Sequence, residues 1–369
     1  MNRPDTGKTY ILFHYSFNNL AGTERVLSNL IEMIGSMNGR LILLLASKQH
    51  ETAIDLTAYP VEIYYLGCDN ANSGTQLRLI RSHYRLYQAL TSFLKEQDLG
   101  NNLTLLSTNV FLAAVARMAC RKLNIRQAKL IACEHFSLHV AGRFSKLVRK
   151  IFYRHMTIVT LTERDRAVIE RQYRPASCVC IPNASPFRID TARYDPRKKT
   201  ILAIGRLSHQ KGFDLLVTAF AGIAQKYADW NLLIAGDDFG SKARIEEMIR
   251  EHKIANIRLI PATKNVVELY QAASFFVLSS RFEGLPMVLI EAISFGLPVV
   301  SFDCPTGPRE IVNDDNGLLI ENGNTAALAE GMERLIRSEE LLMQKSRNAA
   351  ISAAAFTRQK IDRLWEAVL

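Results

Sequence analysis

Six cysteines in 369 residues are too few for a disulfide scaffold, so they read as buried thiols of a reducing compartment. No apolar stretch approaches the roughly eighteen residues of a spanning helix, and the opening Met-Asn-Arg-Pro-Asp-Thr-Gly-Lys is polar. Both point to a cytoplasmic chain with neither leader nor span. Gly-x-Gly-x-x-Gly occurs nowhere, which removes the main support for dinucleotide redox chemistry. Walker and Gly-x-Ser-x-Gly patterns are missing too, and no Cys/His spacing resembles a zinc site. Carboxylates are scarce in one half only. Residues 1–190 hold 24 Lys and Arg against 14 Asp and Glu, residues 191–369 hold 22 of each, and the whole net charge of +10 therefore belongs to the first half.

What is present argues for a folded α/β chain. Apolar residues make up 48% of the sequence, which excludes disorder, and the length suits two domains of about 150 residues or more. Short β-branched runs alternate with helical patterns throughout, as in parallel sheets with crossover helices. The strand candidates of the first half are Tyr10–Tyr15, Arg40–Ala46, Val61–Leu66, Leu103–Thr108, Lys129–Cys133, Ile158–Thr162 and Cys178–Ile181. Those of the second half are Thr200–Gly205, Asn231–Ala235, Ile257–Ile260, Phe275–Ser279, Pro298–Phe302 and Gly317–Ile320. Pro186–Lys199 is polar, holds two prolines and lacks periodicity, so the boundary falls there. The expectation is two Rossmann-like domains, 1–190 and 191–352, facing a cleft, and a closing helix over 353–369 with Phe356, Ile361, Leu364, Trp365 and Val368 at helical spacing.

The densest basic run is Arg143, Lys146, Arg149, Lys150 and Arg154, interleaved with Phe144, Leu147, Val148, Ile151 and Phe152. It reads as an amphipathic helix that is either a core helix with a solvated basic face or a contact with an anionic membrane surface. Nothing in it forms an aromatic or Gly-rich nucleic-acid module, so no nucleic-acid partner is expected.

An open parallel sheet binds its ligand beyond the carboxyl ends of its strands. After the first strand, Ala21-Gly22-Thr23-Glu24 leads into a helix; Gly22 allows close backbone approach there, or Thr23 merely caps the helix. In the second half, Gly205-Arg206-Leu-Ser-His-Gln-Lys211-Gly212 places two cations about a strand-to-helix turn, fit to neutralise a diphosphate or simply solvated. Later comes Phe-Glu283-Gly284-Leu285-Pro286-Met287-Val288-Leu-Ile-Glu291-Ala. Gly284 and Pro286 put Glu283 on a loop and Glu291 inside the following helix, whose N-terminal N–H groups offer a second anion site.

These second-half motifs, together with Ile181-Pro182-Asn183, Glu268-Leu269-Tyr270 and Gly296-Leu297-Pro298-Val299-Val300, resemble the family-four retaining glycosyltransferases of the GT-B fold. The run Ser301–Ile311 is similar to that of bacterial enzymes building surface polysaccharides and lipid-linked glycans. The resemblance implies that Arg206 and Lys211 bind the donor diphosphate, Glu283 the transferred sugar, and Glu291 the ribose hydroxyls. It implies that the backbone of Gly284, Leu285, Pro286, Met287 and Val288 meets the sugar and distal phosphate, that Gly22 approaches the diphosphate, and that the helix over 353–369 crosses back to pack on the first domain. His135 matches a histidine that touches the donor sugar, and Pro261 with its neighbours would border the base. The family's usual glycines are here Ala21, Ala184 and Ala262. Asp-x-Asp, the usual metal-holding motif of other glycosyltransferases, occurs nowhere, so no metal or other cofactor is expected and the positive field must come from Arg206, Lys211 and helix N-termini. The expected activity is retaining transfer of a hexose or N-acetylhexosamine from a UDP-sugar to a lipid-linked glycan, peripheral at the inner face of the cell membrane. The alternatives are a nucleotide-sugar epimerase of the same fold and a non-catalytic membrane or nucleic-acid adaptor.

Overall fold

A computed structural model describes residues 7–17, 22–48, 56, 59–68, 76–100, 102–135, 138, 142–191 and 194–369. The chain divides into two compact units, Met1–Ile181 with Trp365–Leu369, and Pro182–Leu364.

In the first unit the order is β1 (Lys8–His14), α1 (Gly22–Ser36), β2 (Arg40–Leu45), β3 (Glu62–Tyr65), α2 (Gln76–Glu96), β4 (Asn102–Ser107), α3 (Val110–Lys122), β5 (Lys129–Glu134), α4 (Arg143–Phe152), β6 (Thr157–Thr160), α5 (Glu163–Tyr173) and β7 (Ser177–Cys180). All strand pairs are parallel, in the order β3-β2-β1-β4-β5-β6-β7. Strands covered by helices on both faces read as unbroken apolar runs. Hence Leu41–Leu45 and Tyr10–Phe13 are buried at every position, with no alternation. Helix starts follow local chemistry: the Asn109 side chain accepts from Phe111 N ahead of α3, and Thr162 from Asp165 N ahead of α5.

The second unit continues with β8 (Thr200–Ile204), α6 (Phe213–Ala224), β9 (Asn231–Ala235), α7 (Lys242–Glu251), β10 (Ile257–Ile260), α8 (Val266–Ala272), β11 (Phe275–Leu278), α9 (Met287–Ser294), β12 (Val299–Phe302), β13 (Gly317–Ile320), α10 (Thr325–Ile336), α11 (Glu339–Ala353) and α12 (Arg358–Glu366), whose last residues group with the first unit. Its sheet is parallel, in the order β10-β9-β8-β11-β12-β13. Each sheet thus reverses its strand order beside its first strand, between β1 and β4 and between β8 and β11. At such a switch point the loops diverge and leave room for a ligand.

Three sequence expectations change. Pro182–Asp190 belong to the second unit, because Ser185 N donates to Phe356 O and Asp190 N to Ser294 O, both at 2.8 Å. The closing helix starts at Arg358, since α11 runs on to Ala353; Phe356, Ile361, Trp365 and Val368 are buried, but Leu364 is exposed. Cys120, Cys133, Cys178 and Cys304 are buried, yet Cys68 and Cys180 are only partly buried. Among the described residues no helix is long and apolar enough to cross a membrane.

Candidate active site

In the second unit the loops after β8 and β11 are stitched together. Gly205 and Arg206 leave β8 and lead into a single 3-10 turn, His209–Lys211, ahead of α6. Gly212, with φ +63°, closes that turn, and a Cβ there would lie 2.2 Å from the Ser279 carbonyl oxygen. Both the backbone angle and the space demand glycine. Around the contact the Ser279 hydroxyl donates to Lys211 O at 3.0 Å, Arg281 N to Gln210 O at 2.8 Å and Gln210 Nε2 to Phe282 O at 3.1 Å. Arg281 also forks onto Asp214, at 2.9 and 2.6 Å.

This stitching brings Lys211 and Glu283 together as an ion pair of 2.7 Å, with side chains 14% and 8% exposed. The Ser280 hydroxyl donates to the same carboxylate oxygen at 2.7 Å. Glu283's own backbone is fixed on both sides, its N–H donating to Pro305 O at 2.7 Å and its carbonyl accepting from Thr306 N at 2.9 Å. Gly284, Leu285 and Pro286 then turn into α9, where the N–H groups of Met287 and Val288 stand in the first helical turn and have no acceptor further back in the helix. One turn in, Glu291 is buried and accepts from the Tyr270 hydroxyl at 2.7 Å. Tyr270 is itself held by stacking on Phe295, 5.3 Å between centroids.

A pocket of about 200 Å³ opens at the ends of β8, β9 and β10, walled in part by Gly205, Arg206, Asp237, Phe239, Ala262 and Thr263. Gly236 makes it possible, because a Cβ there would fall 1.9 Å from Gly205 O. Arg206 is exposed and lies over the Phe239 ring, 5.2 Å from its centroid. Pro261 adjoins this pocket in sequence, whereas the lining residues are Ala262 and Thr263. Of the two neighbouring aspartates, Asp237 lines the pocket and accepts from Ala262 N at 3.0 Å. Asp238 accepts from the backbone N–H groups of Lys242, Gly240 and Ser241, which hold its carboxyl below the usual range.

In the first unit a second polar cluster stands beyond β1, β4 and β5. His14 ends β1 with its Nδ1 2.6 Å from the Thr108 hydroxyl and its Nε2 3.5 Å from Glu24 on α1. His135 follows β5. Burial foremost, then the nearby His14, push its pKa down to about 4 against the pull of Glu24, so the imidazole is neutral near pH 7. Gly22 opens α1, while Asn18–Ala21 lie outside the described residues.

One buried group escaped the sequence reading. Glu134, the last residue of β5, accepts two bonds from Arg149 on α4, at 2.6 and 2.9 Å, and a short one from the Tyr153 hydroxyl. Arg149, placed by periodicity on a basic face, is therefore inside, at 6% exposure. Burial works against its charge and the Glu134 carboxylate outweighs that. A signal existed: over residues 99–162 Glu134 is the single carboxylate among ten Lys and Arg. Tyr270 was likewise read as part of a motif and not as the partner of Glu291.

Residues 189–354 match the family model described as glycosyl transferases group 1. An uncharacterized glycosyltransferase of Haemophilus influenzae is 30% identical over 298 residues, covering 79% of this chain and 82% of that one. The amylovoran biosynthesis glycosyltransferase AmsD of Erwinia amylovora is 28% identical over 364 residues, covering 95% and 96%. A Campylobacter jejuni enzyme named as an N-acetylgalactosamine-N,N'-diacetylbacillosaminyl-diphospho-undecaprenol 4-alpha-N-acetylgalactosaminyltransferase is 25% identical over 374 residues, covering 95% and 96%. Among solved structures, the apo form of the lipopolysaccharide outer core galactosyltransferase WaaB superposes with a TM-score of 0.79 at 19% identity, covering 98% of both chains. Anabaena HepE in complex with UDP gives 0.76 at 17% identity, covering 97% of this chain and 98% of that one. Likeness at this identity bears on the fold, two Rossmann-like parallel sheets of the GT-B type.

Proposed function

Since the chain belongs to the group 1 glycosyltransferases, we propose that it transfers a hexose or N-acetylhexosamine, with retention, from a UDP-sugar to a lipid-diphosphate-linked glycan in surface polysaccharide or glycoconjugate synthesis. The acceptor class follows relatives whose names carry a diphospho-undecaprenol or amylovoran biosynthesis, and UDP follows neighbours crystallised with it. The observation that carries the reading is the Lys211–Glu283 pair at the N-terminus of α9.

Glycosyl transfer releases a nucleoside diphosphate through an oxocarbenium-like transition state, so the protein must stabilise negative charge growing on the phosphates. Arg206 and Lys211 supply fixed cations, and the first N–H groups of α9 point the positive end of the helix at the same charge. Arriving phosphate shares Lys211 with Glu283 and frees that carboxylate to accept from sugar hydroxyls. Glu291, oriented by Tyr270, accepts from the ribose, while the pocket beside Arg206 and Asp237 takes the base. His135, neutral, makes a hydrogen bond to the transferred sugar, and the Gly22 backbone meets the diphosphate. Retention is assigned to front-face attack, the departing phosphate taking the acceptor's proton; Glu283 is tied to Lys211 and Ser280 and is not the nucleophile. The reaction is proposed to run without a metal ion, on the Arg206 and Lys211 charges. The work is placed at the cytoplasmic face of an anionic membrane met by the basic first unit.

The test is a thermal-shift screen with EDTA against UDP, GDP, ADP and CMP, followed by transfer assays. At a hundred times its dissociation constant a nucleotide adds about 2.7 kcal/mol. UDP alone should shift the melt, and its sugar should turn over only with a lipid-diphosphate acceptor present. Turnover of the nucleotide sugar without acceptor would favour epimerisation, and no nucleotide binding at all would sink the reading.

A further inference from the structure

Apart from the polar cluster beyond its strands, the first unit carries an open groove of about 800 Å³ between α2, α3 and α4. That is within the range of pockets that bury a small-molecule ligand, roughly 300–1,000 Å³. Its floor is Ala114 and Val115 of α3, and Val148 and Phe152 of α4 form a wall. Phe111 and Phe144 stack across it at 5.6 Å. Of its lining residues Ile80, Tyr84, Met118 and Phe144 are 39–58% exposed, an apolar patch of the kind that marks a contact.

The charge about this groove is one-sided. α2, α3 and α4 carry four, three and four Lys or Arg residues against a single carboxylate, Glu96 at the far end of α2. Arg149 is spent on Glu134, while Arg121 and Lys122 line the groove itself. A second copy of the chain would bring the same cations face to face. A peptide would bring backbone N–H and C=O groups, and walls in which Ile, Ala, Val, Met and Phe outnumber His83, Tyr84 and Tyr87 offer them few partners. A hydrocarbon chain asks for no hydrogen bonds, and the anionic head that it carries suits the excess of Lys and Arg on the three helices.

We propose that the groove between α2, α3 and α4 holds part of the hydrocarbon chain of a lipid-diphosphate acceptor. This rests on the acceptor class proposed above and adds where its apolar part is bound. Each methylene withdrawn from water tightens binding about fourfold, so even a short chain gives a large margin over the head group alone.

The probe is farnesyl diphosphate, measured by titration calorimetry against inorganic diphosphate. The prenyl compound should bind at least tenfold more tightly. Ala114→Phe fills the floor and Met118→Glu, at a side chain already 39% exposed, sets a charge in the mouth without touching the core. Either should weaken farnesyl diphosphate binding at least tenfold while leaving inorganic diphosphate and the UDP thermal shift unchanged. Equal binding of farnesyl and inorganic diphosphate, or full farnesyl binding by a folded Met118→Glu variant, overturns the proposal. So does a variant that keeps farnesyl binding but no longer sediments with phosphatidylglycerol vesicles, which would make the patch a bilayer contact. The two readings fail separately: farnesyl binding with no response to any nucleotide removes the donor assignment and leaves the groove, and the reverse leaves the donor assignment alone.

Discussion

Replacing Lys211 by methionine leaves the Glu283 carboxylate buried, with the Ser280 hydroxyl as its remaining side-chain donor among the described residues. Removing one partner of a buried pair costs about 3 kcal/mol or more, and losing one donor to a developing anion costs roughly 3–4 kcal/mol of transition-state stabilisation. Lys211→Met should therefore lower urea stability by about 3 kcal/mol and the transfer rate by about 10²–10³. Adding Glu283→Gln should restore most of the stability and none of the rate; a double variant as unstable as the single one would refute the coupling. His135 makes the protein acid-sensitive instead. Its pKa lies below the unfolded value, at about 4, so the unfolded chain binds the extra proton first and stability is lost as pH falls below about 6.5. From pH 7 to pH 5 the loss from this group is about 2 kcal/mol. Urea titrations at both pH values should show a smaller fall in His135→Gln than in the parent.

At the scale of elements, α4 separates two basic residues that the sequence treats alike. Arg149→Met strips Glu134 of its charged partner, leaving it the Tyr153 hydroxyl, and should destabilise the first unit by about 3–5 kcal/mol. Lys150→Gln, on the exposed side, should stay within about 0.5 kcal/mol. Melting curves of the two variants decide it, and equal effects would mean that the Glu134 pair contributes nothing. The contrast also shows what the sequence made legible. All thirteen strands among the described residues stood out, with no boundary off by more than two residues, because helix-covered parallel strands leave unmistakable apolar runs. Glu283 and Glu291 fell on loop and helix as Gly284 and Pro286 dictate. The pairs Glu134–Arg149 and Tyr270–Glu291 were not legible, since they join residues 15 and 21 apart across different elements. Helical periodicity reports which face a residue occupies, not whether a charge on an inner face finds a partner. The groove was hidden for the same reason: the pattern marks α4 as basic and amphipathic, but the hollow exists only where three helices leave a gap.

For the molecule as a whole, the uneven charge sets how it meets a surface. Interactions among exposed charges reach about 10 Å in 0.1 M salt and about 3 Å in 1 M. Sedimentation with phosphatidylglycerol vesicles should accordingly be strong at the lower salt and largely lost at the higher, and an isolated second unit, with its near balance of charges, should not sediment at either. Sedimentation indifferent to salt would remove the electrostatic part of the membrane reading. The division of the chain reaches further, into how such proteins exchange parts. The backbone leaves the first unit between Ile181 and Pro182 and returns to it between Leu364 and Trp365. A recombination event that swaps the second unit between two relatives therefore needs two crossovers. With only one, the hybrid inherits a tail from the wrong parent, and Trp365 and Val368, 4% and 8% exposed, must settle among foreign neighbours. Viable shuffling in this lineage is expected to carry the last five residues with the first unit they belong to.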